Sequence, residues 1–220
     1  SLVIILEDKR LFHVHIGDSE CIAIDKKDSG ELFYTLLTKD HSPSSLEEYI
    51  RVQTNYDTPG VFRYNIRNGQ FGPSIFTTDS EGNYIKKDPY ILYRTNRGMY
   101  HKNVEGEFGT YFTQPVGATH QLSLMRSFGD FHLRPFGLSS VPDIVEYRFS
   151  ENTIILLASD GLWDNWKKKK LFEEFKQWLS MGMSFIDIYT LLFTQTEQKA
   201  TTLFGSQRDD ITAVLFSKTF

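Results

Sequence analysis

Ile154-Ile155-Leu156-Leu157-Ala158-Ser159-Asp160-Gly161-Leu162-Trp163-Asp164 is an aliphatic run that stops on two aspartates, with a glycine and a tryptophan between them. Successive aliphatic residues read as a strand buried on both faces, and side chains that follow such a strand start from a rigid base. Gly161 is expected to let the chain turn sharply beside Asp160, and Trp163 to bury apolar surface next to the carboxylates and limit water. The same residues also read as a strand, a turn and an acidic start to the next helix, which is common where strands meet helices.

Other acidic stations lie far away in the chain. An alternating strand, Leu11-Phe12-His13-Val14-His15-Ile16, runs into Gly17-Asp18-Ser19, and Ser206-Gln207-Arg208-Asp209-Asp210-Ile211-Thr212 leads into the strand Ala213-Val214-Leu215-Phe216. Between them lie Arg126-Ser127-Phe128-Gly129-Asp130 and Val141-Pro142-Asp143-Ile144, and earlier come Leu37-Thr38-Lys39-Asp40-His41-Ser42-Pro43 and a Glu47-x-x-x-Arg51 helix. In this order and spacing the motifs resemble the metal-dependent protein serine/threonine phosphatases of type 2C, the PPM family. The resemblance covers residues 2 to 53 and 119 to 220.

The resemblance implies an α+β fold, a two-sheet antiparallel β-sandwich flanked by helices, here without the family's N-terminal strands and helices. It implies that Asp160 and Asp209 are ligands of a principal metal pair, that Asp18 joins Asp160 on a third, weaker ion, and that Asp164 is a supporting carboxylate. Gly161, Asp210 and Asp130 are expected beside these ligands. Carboxylates without Cys or paired His suit Mg or Mn rather than Zn. Two such ions can lower the pKa of a bridging water and neutralise phosphate during in-line attack. The implied substrate is a phosphoprotein carrying phosphoserine or phosphothreonine.

The departures from the family are also specific. The only Asp-Gly is Asp160-Gly161, so the family's Asp-Gly-His-Gly-Gly element, with its metal-bridging aspartate and candidate general acid, is absent from these residues, as is the arginine that holds phosphate. Met125 stands where the family usually has serine. No catalytic residue is therefore assigned, and these 220 residues alone are expected to be inactive. Two functions follow: part of a metal-dependent phosphatase that needs a segment not present here, or an inactive, pseudophosphatase-like binding module.

Leu2-Val3-Ile4-Ile5-Leu6 supports the same view without the family. A continuous apolar run reads as an interior strand, so an upstream segment or a partner chain is expected to cover Leu2 to Leu6. The 220 residues, 40% hydrophobic and 24% charged, suffice for one globular domain with a sizeable core. A formal charge of -4 gives no general attraction to nucleic acid or to an anionic membrane, and no apolar run reaches bilayer-spanning length, so neither is an expected partner. The single Cys21 cannot form an internal disulfide and fits a reducing compartment, cytoplasmic or nuclear.

Along the chain, Leu2 to Leu6 and Leu11 to Ile16 are expected to form a hairpin around Glu7-Asp8-Lys9-Arg10, with Glu20 to Asp25 continuing the meander. Leu32 to Leu37 reads as a further strand, and Ser44 or Ser45 caps a short helix through Gln53 with Leu46, Tyr49 and Ile50 on one face. Residues 54 to 118 lose helical periodicity and read as a flap-like insertion of short strands. Its aromatics, Tyr90, Tyr93, Tyr100, Phe108, Tyr111 and Phe112, are expected to pack it onto the sandwich, with partner recognition as the alternative. Leu171, Phe172, Phe175, Trp178 and Leu179 form a helical stripe, and Ser184 with Asp187 resembles a capping box before another. Lys167 to Lys170 oppose the dipole of the helix they open and read as a solvated cluster, or as a dock for an anionic partner. His13 and His15 share a strand face, where packing or hydrogen bonding is expected ahead of metal ligation. Arg126 is expected to be buried on a carboxylate partner. Thr38 to His41 reads as a polar turn.

Overall fold

A computed structural model describes residues 1–5, 8–27, 29–66, 72–95, 99, 101–117 and 120–217. In chain order the elements are β1 (Leu2–Ile5), β2 (Arg10–His15), β3 (Glu20–Lys26), β4 (Leu32–Leu36), α1 (Leu46–Asn55), β5 (Val61–Tyr64), β6 (Phe76–Thr78), β7 (Tyr84–Lys86), α2 (Pro89–Thr95) and β8 (Thr110–Thr113). A 3-10 turn at Phe131–Phe136 precedes β9 (Asp143–Arg148), β10 (Ile154–Ala158), α3 (Asp160–Trp163), α4 (Lys168–Ser180), α5 (Phe185–Phe204) and β11 (Ala213–Ser217). Among these elements no helix is long and apolar enough to cross a membrane.

Alternation along the strands builds a sandwich. One sheet has the order β1-β2-β9 and the other β11-β10-β3-β4, all neighbours antiparallel. Leu11 of β2, Cys21 and Ala23 of β3, and Ile155 of β10 share one buried cluster with Val145 and Tyr147 of β9, so the sheets meet face to face. The opposite face of the second sheet presents Ile22, Ile24, Ile154, Leu156 and Ala158 to Leu171, Phe175 and Trp178 of α4 and Ile188 and Leu192 of α5. Burial on both faces explains why β3 and β10 read as unbroken apolar runs.

The meander is corrected at β3. β1 and β2 form the expected hairpin, Ile4 opposite Phe12, but β3 leaves that sheet and pairs with β10 and β4. Gly17, at φ +96, begins the turn that redirects the chain between the sheets. Among the described residues β1 pairs with β2 alone, and Ile4 and Ile5 are 44% and 40% exposed. Leu6 and Glu7 lie outside the described residues.

α1 is capped by Ser45 as expected, but of the apolar face read from the sequence only Tyr49 packs inward. Glu48 and Val52 are buried, whereas Leu46 and Ile50 are exposed. Glu48 is tolerated inside because Arg51 and Arg126 both donate to it, at 2.7 and 2.8 Å. Arg126 also reaches Asp143 at 3.1 Å, and His41 Nε2 lies 3.1 Å from the same carboxylate, so a buried polar network ties α1 to β9.

The insertion has a core of its own. Phe62, Tyr64, Ile75, Phe76, Met99, Phe108 and Phe112 cluster with Val52 of α1 and with Met125, Leu133 and Leu138, which lie outside it. Tyr49 joins them, stacked 4.3 Å from Phe76. Phe108, Tyr111 and Phe112 are thus packing residues, while Tyr90 is mostly exposed. Tyr100 and the side chain of Tyr93 lie outside the described residues.

Candidate metal centre

The carboxylates are set by bonds that cross from β10 to β11. Ser159, after β10, donates its backbone N–H to Thr212 O at 2.9 Å and accepts from Thr212 N–H on Oγ at 3.1 Å. Asp160 opens α3, whose single turn carries Asp164 back until its N–H meets Asp160 O at 2.8 Å. Trp163 fastens this turn to the sandwich, its indole N–H shared between Ala158 O at 2.9 Å and Glu20 O at 3.2 Å.

Gly161 acts differently from the expectation. Its backbone is helical and makes no sharp turn, so conformational freedom is not what the position needs. Any Cβ there would lie 2.3 Å from Asp210 O and 3.3 Å from Ile211 Cα. The segment before β11 rests directly on the Gly161 backbone, and that close approach brings Asp209 to the site. Asp210 contributes this backbone contact, while its side chain is exposed.

Asp160, Asp164 and Asp209 each present an oxygen, all within 4.8 Å of one another. Asp18, from the turn between β2 and β3, lines the same cavity of about 590 Å³. Four of the residues singled out from sequence are therefore together, although Asp18 and Asp209 are far apart in the chain. Asp130 is not among the residues lining that cavity. It sits at φ +52 at the head of the 3-10 turn and accepts from Ser127 Oγ at 2.9 Å, which shapes its own loop.

The electrostatics are those of crowded carboxylates. Burial, and then the charges of Asp160, Asp18 and Asp209, push the Asp164 carboxyl up to about 7 against the opposing pull of Lys102. Burial and Asp160 likewise raise Asp18. Burial works against the Lys102 ammonium, but Asp164, Asp18, Asp160 and Glu107 outweigh it and its pKa is raised. Glu20 is raised by burial and paired with Lys168 at 3.0 Å. An all-oxygen donor set of mutually repelling carboxylates, Asp18, Asp160 and Asp164 half-buried and Asp209 exposed, fits a hard divalent cation such as Mg or Mn, which would stabilise their charged forms.

Two features escaped sequence reasoning. Thr38 to His41 is more than a polar turn: it lines the cavity, and His41 is buried. His41 stacks on His15 at 4.5 Å, His15 stacks on His13 at 5.8 Å, and the two strand histidines bond Lys39 O and Leu37 O, each at 3.2 Å. The shared face of His13 and His15 was the only signal for this stack. Lys102 had no signal at all, because it lies in an insertion without periodicity. The lysines at α4 are also better matched than their sequence suggests. Glu105 of the insertion accepts the Lys168 backbone N–H at 3.0 Å and supplies the anion that this helix start lacks locally.

An antiparallel sandwich flanked by helices, with carboxylates gathered in one cavity, defines the class as a two-sheet α+β fold with an acidic cluster. Residues 1–74 and 98–200 match the family model for protein phosphatase 2C, and the chain belongs to that family. The match extends further into the insertion than the motifs do, and Asp209 lies beyond it. Protein phosphatase 2C homolog 4 of Saccharomyces cerevisiae is 24% identical over 213 residues, covering 96% of this chain and 46% of that protein. Probable protein phosphatase 2C 73 of Arabidopsis thaliana is 26% identical over 165 residues, covering 74% of this chain and 33% of that protein. The chain thus spans less than half the length of either. Among solved structures, a serine-threonine phosphatase 2C from Toxoplasma gondii superimposes with a TM-score of 0.56 at 22% identity, over 94% of this chain and 54% of that one. A C. elegans sex determining protein gives 0.53 at 17% identity, over 95% of this chain and 37% of that one. At these identities the structural likeness concerns the fold.

Proposed function

We propose that this chain carries part of the active centre of a Mg- or Mn-dependent phosphatase acting on phosphoserine and phosphothreonine in proteins. The observation that supports it is the convergence of Asp160, Asp164 and Asp209 within 4.8 Å, in a protein of the 2C family. In this reading Asp160 and Asp209 hold the principal ion pair, Asp18 and Asp160 hold a third and weaker ion, and Asp164 supports them. When bound, the ions supply Lewis acidity that activates water and offsets phosphate charge. The chain's own residues orient the ions: Ser159 locks β10 to the Asp209 segment, Gly161 admits it, and Trp163 fastens the turn that carries Asp160 and Asp164.

These residues do not perform every task of phosphoryl transfer. With no Asp-Gly-His in the 220 residues, this reading takes a bridging carboxylate and a general acid from polypeptide outside this sequence. The open edge of β1 and the exposed Ile4 and Ile5 suit pairing with such a segment. The same missing element favours a second reading, a pseudophosphatase-like module that binds partners without turnover.

Turnover of a phosphothreonine peptide by the natural protein with saturating Mn separates the two. The phosphatase reading expects activity that Asp160→Asn and Asp209→Asn each reduce by several orders of magnitude. An inert natural protein, or activity indifferent to both substitutions, rejects that reading.

A further inference from the structure

Residues 101 to 108 form a small closed loop inside the insertion, and it is fastened to the acidic centre rather than hanging over it. Lys102 N–H donates to Glu107 O at 2.7 Å, and Gly106, at φ +81, closes the turn with its N–H on Asn103 O at 3.1 Å. The Asn103 side chain holds the interior, accepting from Glu105 and Glu107 N–H at 3.1 and 3.2 Å and donating to the Glu107 carboxylate at 2.9 Å. Two further bonds anchor the loop outside itself. Val104 N–H donates to Asp164 O at 3.0 Å, and the Glu105 carboxylate accepts Lys168 N–H at the start of α4, also at 3.0 Å.

This anchoring brings the half-buried Lys102 into the cavity lined by Asp18, Asp160, Asp164 and Asp209. The other lysines of the cavity wall near the acids are engaged elsewhere: Lys168 pairs with Glu20 at 3.0 Å, and Lys39 with Glu47 at 3.3 Å and Asp143 at 3.8 Å. Among the described residues Lys102 has no ion pair within 4.0 Å, and Asp164, Asp18 and Asp160 are the leading charges that act on it. Lys102 thus shares one cavity with the carboxylates that a divalent ion would use, from a backbone whose loop is held by the bonds above.

We propose that Lys102 is the built-in counter-ion of the acidic centre, and that its fixed positive charge sets how weakly the centre holds Mg or Mn. The inference rests on the metal-centre reading above. Two cations that share one set of carboxylates oppose each other, and the opposition is strong because the cavity screens less than bulk water. The bonds of Val104 and Glu105 hold the backbone that carries Lys102, so its charge stays tethered beside the acids. The insertion thereby tunes the centre without supplying a ligand.

Titration of the natural protein with Mn, followed by the electron paramagnetic resonance of free Mn, tests this directly. Lys102→Met should bind Mn about tenfold or more tightly than wild type, Lys102→Gln should shift the same way, and Lys102→Arg should stay within about twofold. Lys199→Met, outside the cavity, should leave affinity unchanged. Circular dichroism checks that each variant is folded, and Lys102→Gln stands in should the methionine variant not be. If Asp160→Asn abolishes binding while neutral residues at position 102 bind Mn no more tightly than wild type, the Lys102 proposal is overturned and the metal centre stands. If neither wild type nor the position-102 variants bind Mn, the metal-centre reading fails, and this inference fails with it.

Discussion

Replacing Gly161 with alanine adds one methyl group where the structure has no room. The new Cβ would stand 2.3 Å from Asp210 O, whereas ordinary contact begins near 3.4 Å, so backbone must retreat by about 1 Å. A flexible side chain could absorb this, but the obstacle is the main chain that carries Asp209. Metal–oxygen distances tolerate displacements of only about 0.2 Å, so Mn affinity should fall by about ten- to a hundredfold. Overpacking of this kind costs about 1–3 kcal/mol, or roughly 2–12 °C in Tm for a chain of this size. Calorimetric Mn titration and thermal unfolding of the natural protein measure both. Gly182→Ala is the control: at φ +68 with nothing within 4 Å, it should cost about 1 kcal/mol of backbone strain and leave Mn affinity alone. Wild-type Mn affinity and wild-type Tm in Gly161→Ala would refute the argument that this glycine exists for the Asp210 approach.

Arg126→Met should destabilise the protein by about 3–5 kcal/mol, since it leaves Glu48, 2% exposed, without its main partner; denaturant unfolding checks it, and Glu48→Met in the same chain should recover much of the loss. Stability should fall as pH drops from about 6.5 to about 4. Burial, and then the charges of His41 and His13, hold His15 down to about 4, so over that window the unfolded chain takes up a proton that the folded one refuses. The shift is on the order of 3 kcal/mol for this fully buried group, and His13 and His41 are lowered in the same direction. Equal unfolding free energies at pH 7.5 and 4.5 would exclude the neutral histidine stack. Burial pushes the Cys21 thiol up to about 12, so a thiol reagent should label it only after unfolding; rapid labelling of the folded protein would contradict its place between the sheets.

The strands and most of the acidic residues at their ends were legible in the sequence because those signals are local, whereas the sandwich was implied by the resemblance of the motifs to the type 2C family. An aliphatic run marks a doubly buried strand, and an aspartate at its end inherits the strand's rigidity, so Asp18, Asp160 and Asp209 could each be named from neighbours a few positions away. The Ser45 and Ser184 caps were legible for the same reason: each side chain bonds a backbone N–H three residues on.

Tertiary structure decided the rest, because it depends on distances through space. β3 has the same pattern whether it continues a meander or crosses to the second sheet, and only β10 on its other side settles which. Glu48 looks like a solvent residue until Arg126, distant in sequence, arrives beside it, and only the folded loop shows that Asp130 accepts from Ser127. Gly161 shows ordinary helical dihedrals, and its need for a bare Cα exists only because the Asp210 backbone lies against it. Lys102 carries no pattern whatever, since a single charge in an aperiodic loop acquires meaning only from the carboxylates that folding sets around it.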